Sequence, residues 1–150
     1  MNEDQKDEFL KDEYLLLQGF YEDFDRRALM VKGWSVTVAI AGLAVGFEKG
    51  SPAIWALAGV AALMFWIIDG KWRMYQYANR KRIKEIEAHF RNESGNEIIP
   101  LQAFERWWSG YEEQSLLKIA FYPVVMLPHV LAVFLSAILI VVHYNIRCLV

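Results

Sequence analysis

Charge is missing from three stretches of this chain: 33–47 (GWSVTVAIAGLAVGF), 51–68 (SPAIWALAGVAALMFWII) and 119–142 (IAFYPVVMLPHVLAVFLSAILIVV). Crossing the hydrocarbon of a bilayer takes about 20 apolar residues, with about 17 as the lower limit. The second and third stretches meet that length. The first reaches it when extended back through Ala28, Leu29, Met30 and Val31, with Lys32 snorkelling toward the headgroups. None carries the polar stripe at a 3.6-residue period that a soluble core helix would show. The pattern predicts three transmembrane helices, over 28–47, 51–68 and 119–143. Only Glu48-Lys49-Gly50 separates the first two, and Pro52 suits the first turn of the next helix, so these two form an antiparallel hairpin.

Outside these stretches the apolar positions turn periodic. Leu10, Tyr14, Leu17, Tyr21, Phe24, Ala28 and Val31 alternate spacings of four and three, widened by Phe9, Leu16 and Phe20. Residues 4–31 therefore read as one long amphipathic helix running into the first span. Trp72, Tyr75, Ile83, Ile86 and Phe90 make a matching stripe over 71–93, with Ser94-Gly95-Asn96 as its stop. Pro100 opens a shorter helix over 101–118, which places Leu101, Phe104, Trp108 and Tyr111 on one face. Trp107, Trp108 and Tyr111 suit a helix at headgroup level; packing against the two long helices explains them equally well. Pro123 and Pro128 fall in the third span, where they kink it or free backbone groups. The expected fold is all-α: a single membrane domain over 1–150, with three transmembrane helices and long cytoplasmic amphipathic helices forming an antiparallel stalk.

Composition narrows the class. In 150 residues, 55% are apolar and the formal net charge is −2, which excludes disorder and argues against nucleic-acid binding by overall positive charge. One domain is the expectation at this length. Cys148 stands alone, so no disulfide scaffold forms within one subunit. The acidic N-terminus and the late first apolar run argue against a cleaved signal peptide.

The near-neutral total hides a division. Residues 1–32 hold nine acids and five bases; residues 71–91 hold seven bases and two acids. In a hairpin the two helices leave the membrane side by side. Glu22, Asp23 and Asp25 then come level with 76–80, and Lys81, Arg82 and Lys84 with 17–20, within about a turn of the acids. Pairing of Glu22, Asp23 and Asp25 with Arg80, Lys81, Arg82 and Lys84 would set register more than stability; independent solvated faces are the other reading. Basic residues also set orientation. Arg26, Arg27, Lys32, Lys71, Arg73, Arg80, Lys81, Arg82 and Lys84 flank one side, against Lys49 and Arg147 on the other. The N-terminus and 69–118 are thus expected in the cytoplasm and the C-terminus outside, in a multi-pass protein of the inner (plasma) membrane.

Candidate chemistry is sparse. The sequence holds no phosphate-binding glycine loop, no His-Glu-x-x-His and no Gly-x-Ser-x-Gly, so no enzyme, cofactor or metal site is expected. Arg82 and His89, with six residues between them, resemble the Arg-x(4–6)-His motif of the HEPN ribonuclease superfamily, although a basic helix with one His produces this spacing readily by chance. His129 lies close to the midpoint of the third apolar run. At that depth it faces a bundle interior or water-filled path, or else is a neutral His bonded to a carbonyl freed by Pro128. Gly42 and Gly46 form a GxxxG, and Ala58 with Ala62 and Ala132 with Ser136 add small-residue pairs, for close helix packing within or between subunits.

The exit from the second span, Asp69-Gly70-Lys71-Trp72-Arg73-Met74-Tyr75-Gln76, leads into a charged helix, Asn79-Arg80-Lys81-Arg82-Ile83-Lys84-Glu85-Ile86-Glu87. With the amphipathic helix and minimal hairpin before it, residues 10–92 resemble the SLATT-type two-span effectors linked to bacterial nucleotide-second-messenger conflict systems, and similar small membrane effectors of anti-phage defence. The resemblance is one of architecture, and the third span departs from it. It implies a self-assembling effector that permeabilises the inner membrane when a cytoplasmic sensor signals infection, with the bilayer, further copies of the chain and that sensor as partners. The competing reading is a non-conducting scaffold or regulatory subunit that docks a partner through 69–118.

Overall fold

The computed structural model of the chain describes residues 2–93 and 97–149, so the helix stop expected at 94–96 lies outside the described residues. Regular structure among the described residues is entirely α-helical: α1 (Glu3–Lys49), α2 (Pro52–Ala78), α3 (Arg80–Phe90), α4 (Ala103–Glu112), α5 (Leu116–Ala120) and α6 (Pro123–Leu149). Three helices are long and apolar enough to cross a membrane. Within the most apolar window of each, only 22%, 33% and 22% is buried, so most of the apolar surface of those windows faces outward.

The helix ends follow from local chemistry. α1 stops where Gly50 adopts φ +59° and the N–H groups of Gly50 and Ser51 reach back to the carbonyls of Phe47 and Gly46. A residue with a side chain is strained in that left-handed conformation, and Pro52 then opens α2. The helix expected over 71–93 is divided at Asn79. There the Tyr75 carbonyl accepts from the side chains of Asn79 and Trp107, and the Asn79 N–H turns to Gln76 instead. Side-chain donors competing for a backbone acceptor account for the break. α3 ends on Asn92 at φ 57°, with Glu93 and Asn92 N–H bonded to Ala88 and His89, a Schellman cap.

The expected 101–118 helix is likewise split, into α4 and α5. The third apolar helix is shifted, because Pro123 starts it and only Pro128 lies inside. Proline at a first helical position loses no intrahelical bond, so Pro123 is a start signal where the sequence suggested a kink.

The chain packs as two compact units. The first comprises 1–27 and 72–116, with a core of Leu10, Leu17, Ile83, Ile86 and Ile98 flanked by Tyr14, Tyr21 and Ala103. In it α4 lies tightly on α2: a Cβ at Gly110 would collide with the Ala78 carbonyl oxygen and come within 3.2 Å of its carbon. Gly110→Ala should therefore destabilise by about 1–3 kcal/mol through overpacking, although Ala is the better helix former by about 1 kcal/mol. A raised thermal midpoint for this variant would refute the contact.

The second unit comprises 28–71 and 117–150, and its buried cluster is Ala39, Ala62 and Ala132. Trp55, Ile119 and Val125 are buried elsewhere in this unit, but at the cluster itself the side chains are single methyl groups that add little contact of their own. Close backbone approach and polar contacts must therefore supply much of the cohesion.

Candidate functional site

The small residues come together inside the second unit. A Cβ at Gly42 would stand 2.8 Å from that of Ala58, and one at Gly46 would stand 2.5 Å from the Trp55 ring. The Trp55 indole donates to the Leu43 carbonyl at 3.2 Å. Ala62 and Ala132 pack with Ala39, and a Cβ on Gly59 would lie 3.2 Å from that of Ser136, whose hydroxyl donates to the Ala132 carbonyl at 2.9 Å. Gly42, Gly46, Ala58, Ala62, Ala132 and Ser136 thus make close approaches within one copy of the chain.

That proximity brings four polar side chains together. Lys32 and Ser35 stand one turn apart on α1, Asp69 is near the end of the second apolar stretch on α2, and His129 is on α6. Asp69 and His129 are wholly buried, and Ser35 nearly so. Lys32 Nζ lies 2.7 Å from Asp69 Oδ2 and 2.9 Å from Oδ1. His129 Nε2 lies 3.4 Å from Asp69 Oδ2, and its Nδ1 is 2.8 Å from Ser35 Oγ.

The chemistry of this set is self-consistent. An ionised Asp69 only accepts, so Nε2 of a neutral His129 carries the proton, and Nδ1 accepts from the Ser35 hydroxyl. The Lys32 ammonium and the Asp69 carboxylate offset each other at 2.7 Å. This is the arrangement in which ionised groups survive away from water.

Several expectations change here. Lys32, expected to reach toward the headgroups, pairs its ammonium with Asp69. Two readings stood for His129, a bundle interior or water-filled path and a bond to a carbonyl freed by Pro128; its partners are the side chains of Ser35 and Asp69. His129 is also the seventh residue of α6, nearer its start than its middle. Lys32, Ser35 and Asp69 were not recognisable as a site. The available signal was a Lys and a Ser at i, i+3 on an otherwise apolar stretch, with an Asp bordering the next.

In the first unit the stalk residues find other partners. Asp23 bonds Arg27 on its own helix, and Asp25 meets Arg73 at 2.8 Å. Lys81 pairs with Glu113, the Arg80 guanidinium lies 4.2 Å from the Tyr77 ring centre, and Glu22 and Lys84 are exposed. Each of these ion pairs closes on a residue outside the two expected sets.

Arg82 is the most enclosed. Its Nε and Nη2 hold both carboxylate oxygens of Glu13 at 2.8 and 2.9 Å, with side-chain exposures of 1% and 3%. Nη2 also donates to the Ile99 carbonyl, and the Leu101 N–H donates to Glu13. Burial opposes the charge on Arg82. The hydrogen bonds and charge of Glu13, followed by those of Glu85, outweigh it and hold the guanidinium above its ordinary pKa. With Glu13, Glu85 and Ile99 engaging it, Arg82 is poorly placed to receive an RNA phosphate, and His89 faces Asp7 at 3.0 Å. Glu13 carried no sequence signal that set it apart from its acidic neighbours.

Among the described residues, no three His, Cys, Asp or Glu side chains converge as a metal site. Comparison with family models, curated proteins and solved structures finds no match to this chain.

Proposed function

We propose that this chain is a small multi-pass effector of the inner membrane that assembles with further copies of itself and breaches the ion barrier. The buried cluster of Lys32, Asp69, His129 and Ser35 carries this reading. Ionisable groups inside apolar helices are costly and are kept mainly where charge movement or switching requires them. A cluster spread over three helices ties their packing to one charge balance, which is what an inducible pore needs. The small residues are engaged within one copy, so assembly uses the large outward-facing apolar side chains instead.

The positive-inside pattern places the N-terminus and 69–118 in the cytoplasm and the C-terminus outside. An antiparallel stalk is supported by the order of contacts: Asp25 with Arg73, Tyr21 with Gln76, Glu13 with Arg82 and Asp7 with His89. A cytoplasmic sensor as trigger, and a role in anti-phage defence, rest on the resemblance to SLATT-type effectors.

Expression in bacteria should collapse the membrane potential reported by a voltage-sensitive dye. The purified chain should release a small dye from liposomes and show a discrete oligomer by mass. A monomer that never leaks, with the potential unchanged, would overturn the proposal. Copurification of a stoichiometric partner would then favour the scaffold.

A further inference from the structure

We propose that the buried cluster of the second unit is a proton-binding site, loaded at His129 Nδ1, and that the bound proton weakens the Lys32–Asp69 pair joining α1 to α2. The consequence for leakage rests on the proposed pore; the binding of the proton does not.

The imidazole is bonded at both ends. Its Nε2 lies 3.4 Å from Asp69 Oδ2, and its Nδ1 meets the Ser35 hydroxyl at 2.8 Å. Histidine is the side chain whose ordinary charge change falls between about pH 5 and 8. Ser35 suits both forms of the ring, because a hydroxyl donates to a bare Nδ1 and, once rotated, accepts from a protonated one. A backbone carbonyl in its place would only accept, and would hold Nδ1 in one state. The proton comes from water and adds to the Nδ1 lone pair, and no covalent bond in the protein breaks. Loading therefore leaves no polar atom of the ring without a partner.

What loading changes is the charge. Asp69 of α2 and Lys32 and Ser35 of α1 face the ring or its carboxylate partner, and α6 carries no other ionisable side chain from Pro123 to Val142. Along the chain the next titratable groups are Lys71 on α2 and Lys118 and Tyr122 ahead of α6. Lys32 Nζ and His129 Nε2 share one oxygen, Asp69 Oδ2, at 2.7 and 3.4 Å. An imidazolium puts a second cation on that carboxylate, where an unmatched charge is costly. Lys32 is the cation free to leave, since its side chain is 15% exposed while those of Asp69 and His129 are fully buried. Loading at His129 thus loosens α1 from α2, while α6 stays held on Asp69.

The test follows the ring nitrogens of isotope-labelled histidine by magnetic resonance in the full chain carrying His89→Gln and His143→Gln, which leaves His129 as its one histidine. Between about pH 7.5 and 5.5 the ring should pass from a neutral form protonated at Nε2 to an imidazolium. Over the same interval, dye release by the wild-type chain from phosphatidylcholine–phosphatidylglycerol vesicles should rise severalfold. His129→Gln, which keeps a donor for Asp69 and an acceptor for Ser35, should release dye at one rate at both pH values. Should that variant fail to fold, the resonances of the parent chain decide. A ring that keeps one protonation state throughout overturns the proposal. A ring that titrates while release holds constant overturns the proton's control of the helices. A ring that titrates in a chain that leaks at neither pH defeats the pore and leaves the proton site standing.

Discussion

Asp69→Asn is expected to be the most damaging single substitution in the three apolar helices, lowering stability by about 3–5 kcal/mol. The Asp69 side chain is fully buried and sits 2.7 Å from Lys32 Nζ, whose own side chain is 15% exposed. Removing the carboxylate charge leaves an ammonium without its counter-ion, and His129 loses its ionic acceptor. Ser35→Ala removes one neutral hydrogen bond and should cost only about 1 kcal/mol. Replacing both charged partners, Lys32→Met with Asp69→Leu, should recover most of the loss, since apolar pairs of similar volume replace buried ion pairs well. Thermal unfolding in detergent micelles reads all three. A wild-type midpoint for Asp69→Asn would show that the pair is not holding the helices together. A stable double variant that no longer depolarises cells would separate the cluster's role in activity from its role in packing.

Glu13→Gln should have the next largest effect, about 3 kcal/mol, again from an uncompensated buried charge. Arg82 would retain Glu85 at 3.3 Å, but that carboxylate is partly exposed and its geometry is monodentate. The damage should also be local. Glu13 accepts from the Leu101 N–H, and Arg82 donates to the Ile99 carbonyl, so this pair pins the segment leading into α4. Leu101 is held there at φ 64°, a conformation that non-glycine residues rarely adopt. Amide hydrogen exchange in 97–102 should quicken in Glu13→Gln before global unfolding. Unchanged exchange there would mean that other contacts hold the segment.

The legibility of the fold varied with the kind of signal. Uninterrupted apolar runs specify long helices with little dependence on context, so the three apolar helices and the turn at Gly50 could be read directly. The break at Asn79 could not. It depends on the Trp107 indole arriving from a distant part of the chain to share the Tyr75 carbonyl. The stop at Asn92 was within reach, because Asn tolerates the left-handed region, but the Ser-Gly-Asn that follows is the stronger compositional cue.

The candidate site shows the same limit. His129 stood out because an ionisable residue in an apolar run is conspicuous wherever it points. Asp69 and Lys32 sit at the edges of such runs, where charges are ordinary, and only packing turns them inward. In the stalk, complementary charge blocks were legible while the partners were not. Arg82 reaches Glu13, about a turn farther along α1 than the level expected for it. Long flexible side chains choose among several carboxylates within reach, and burial beside Ile99 and Leu101 settles the choice.

By itself, then, the sequence determined the all-helical class, the three helices apolar enough to span a membrane, and the opposed charge blocks. These are properties of local composition and period. The tertiary structure alone decided which ionised groups leave water together, because the cost of burying a charge depends on what lies within about 4 Å of it. For Lys32, Asp69 and His129, those neighbours come from helices separated by tens of residues of chain.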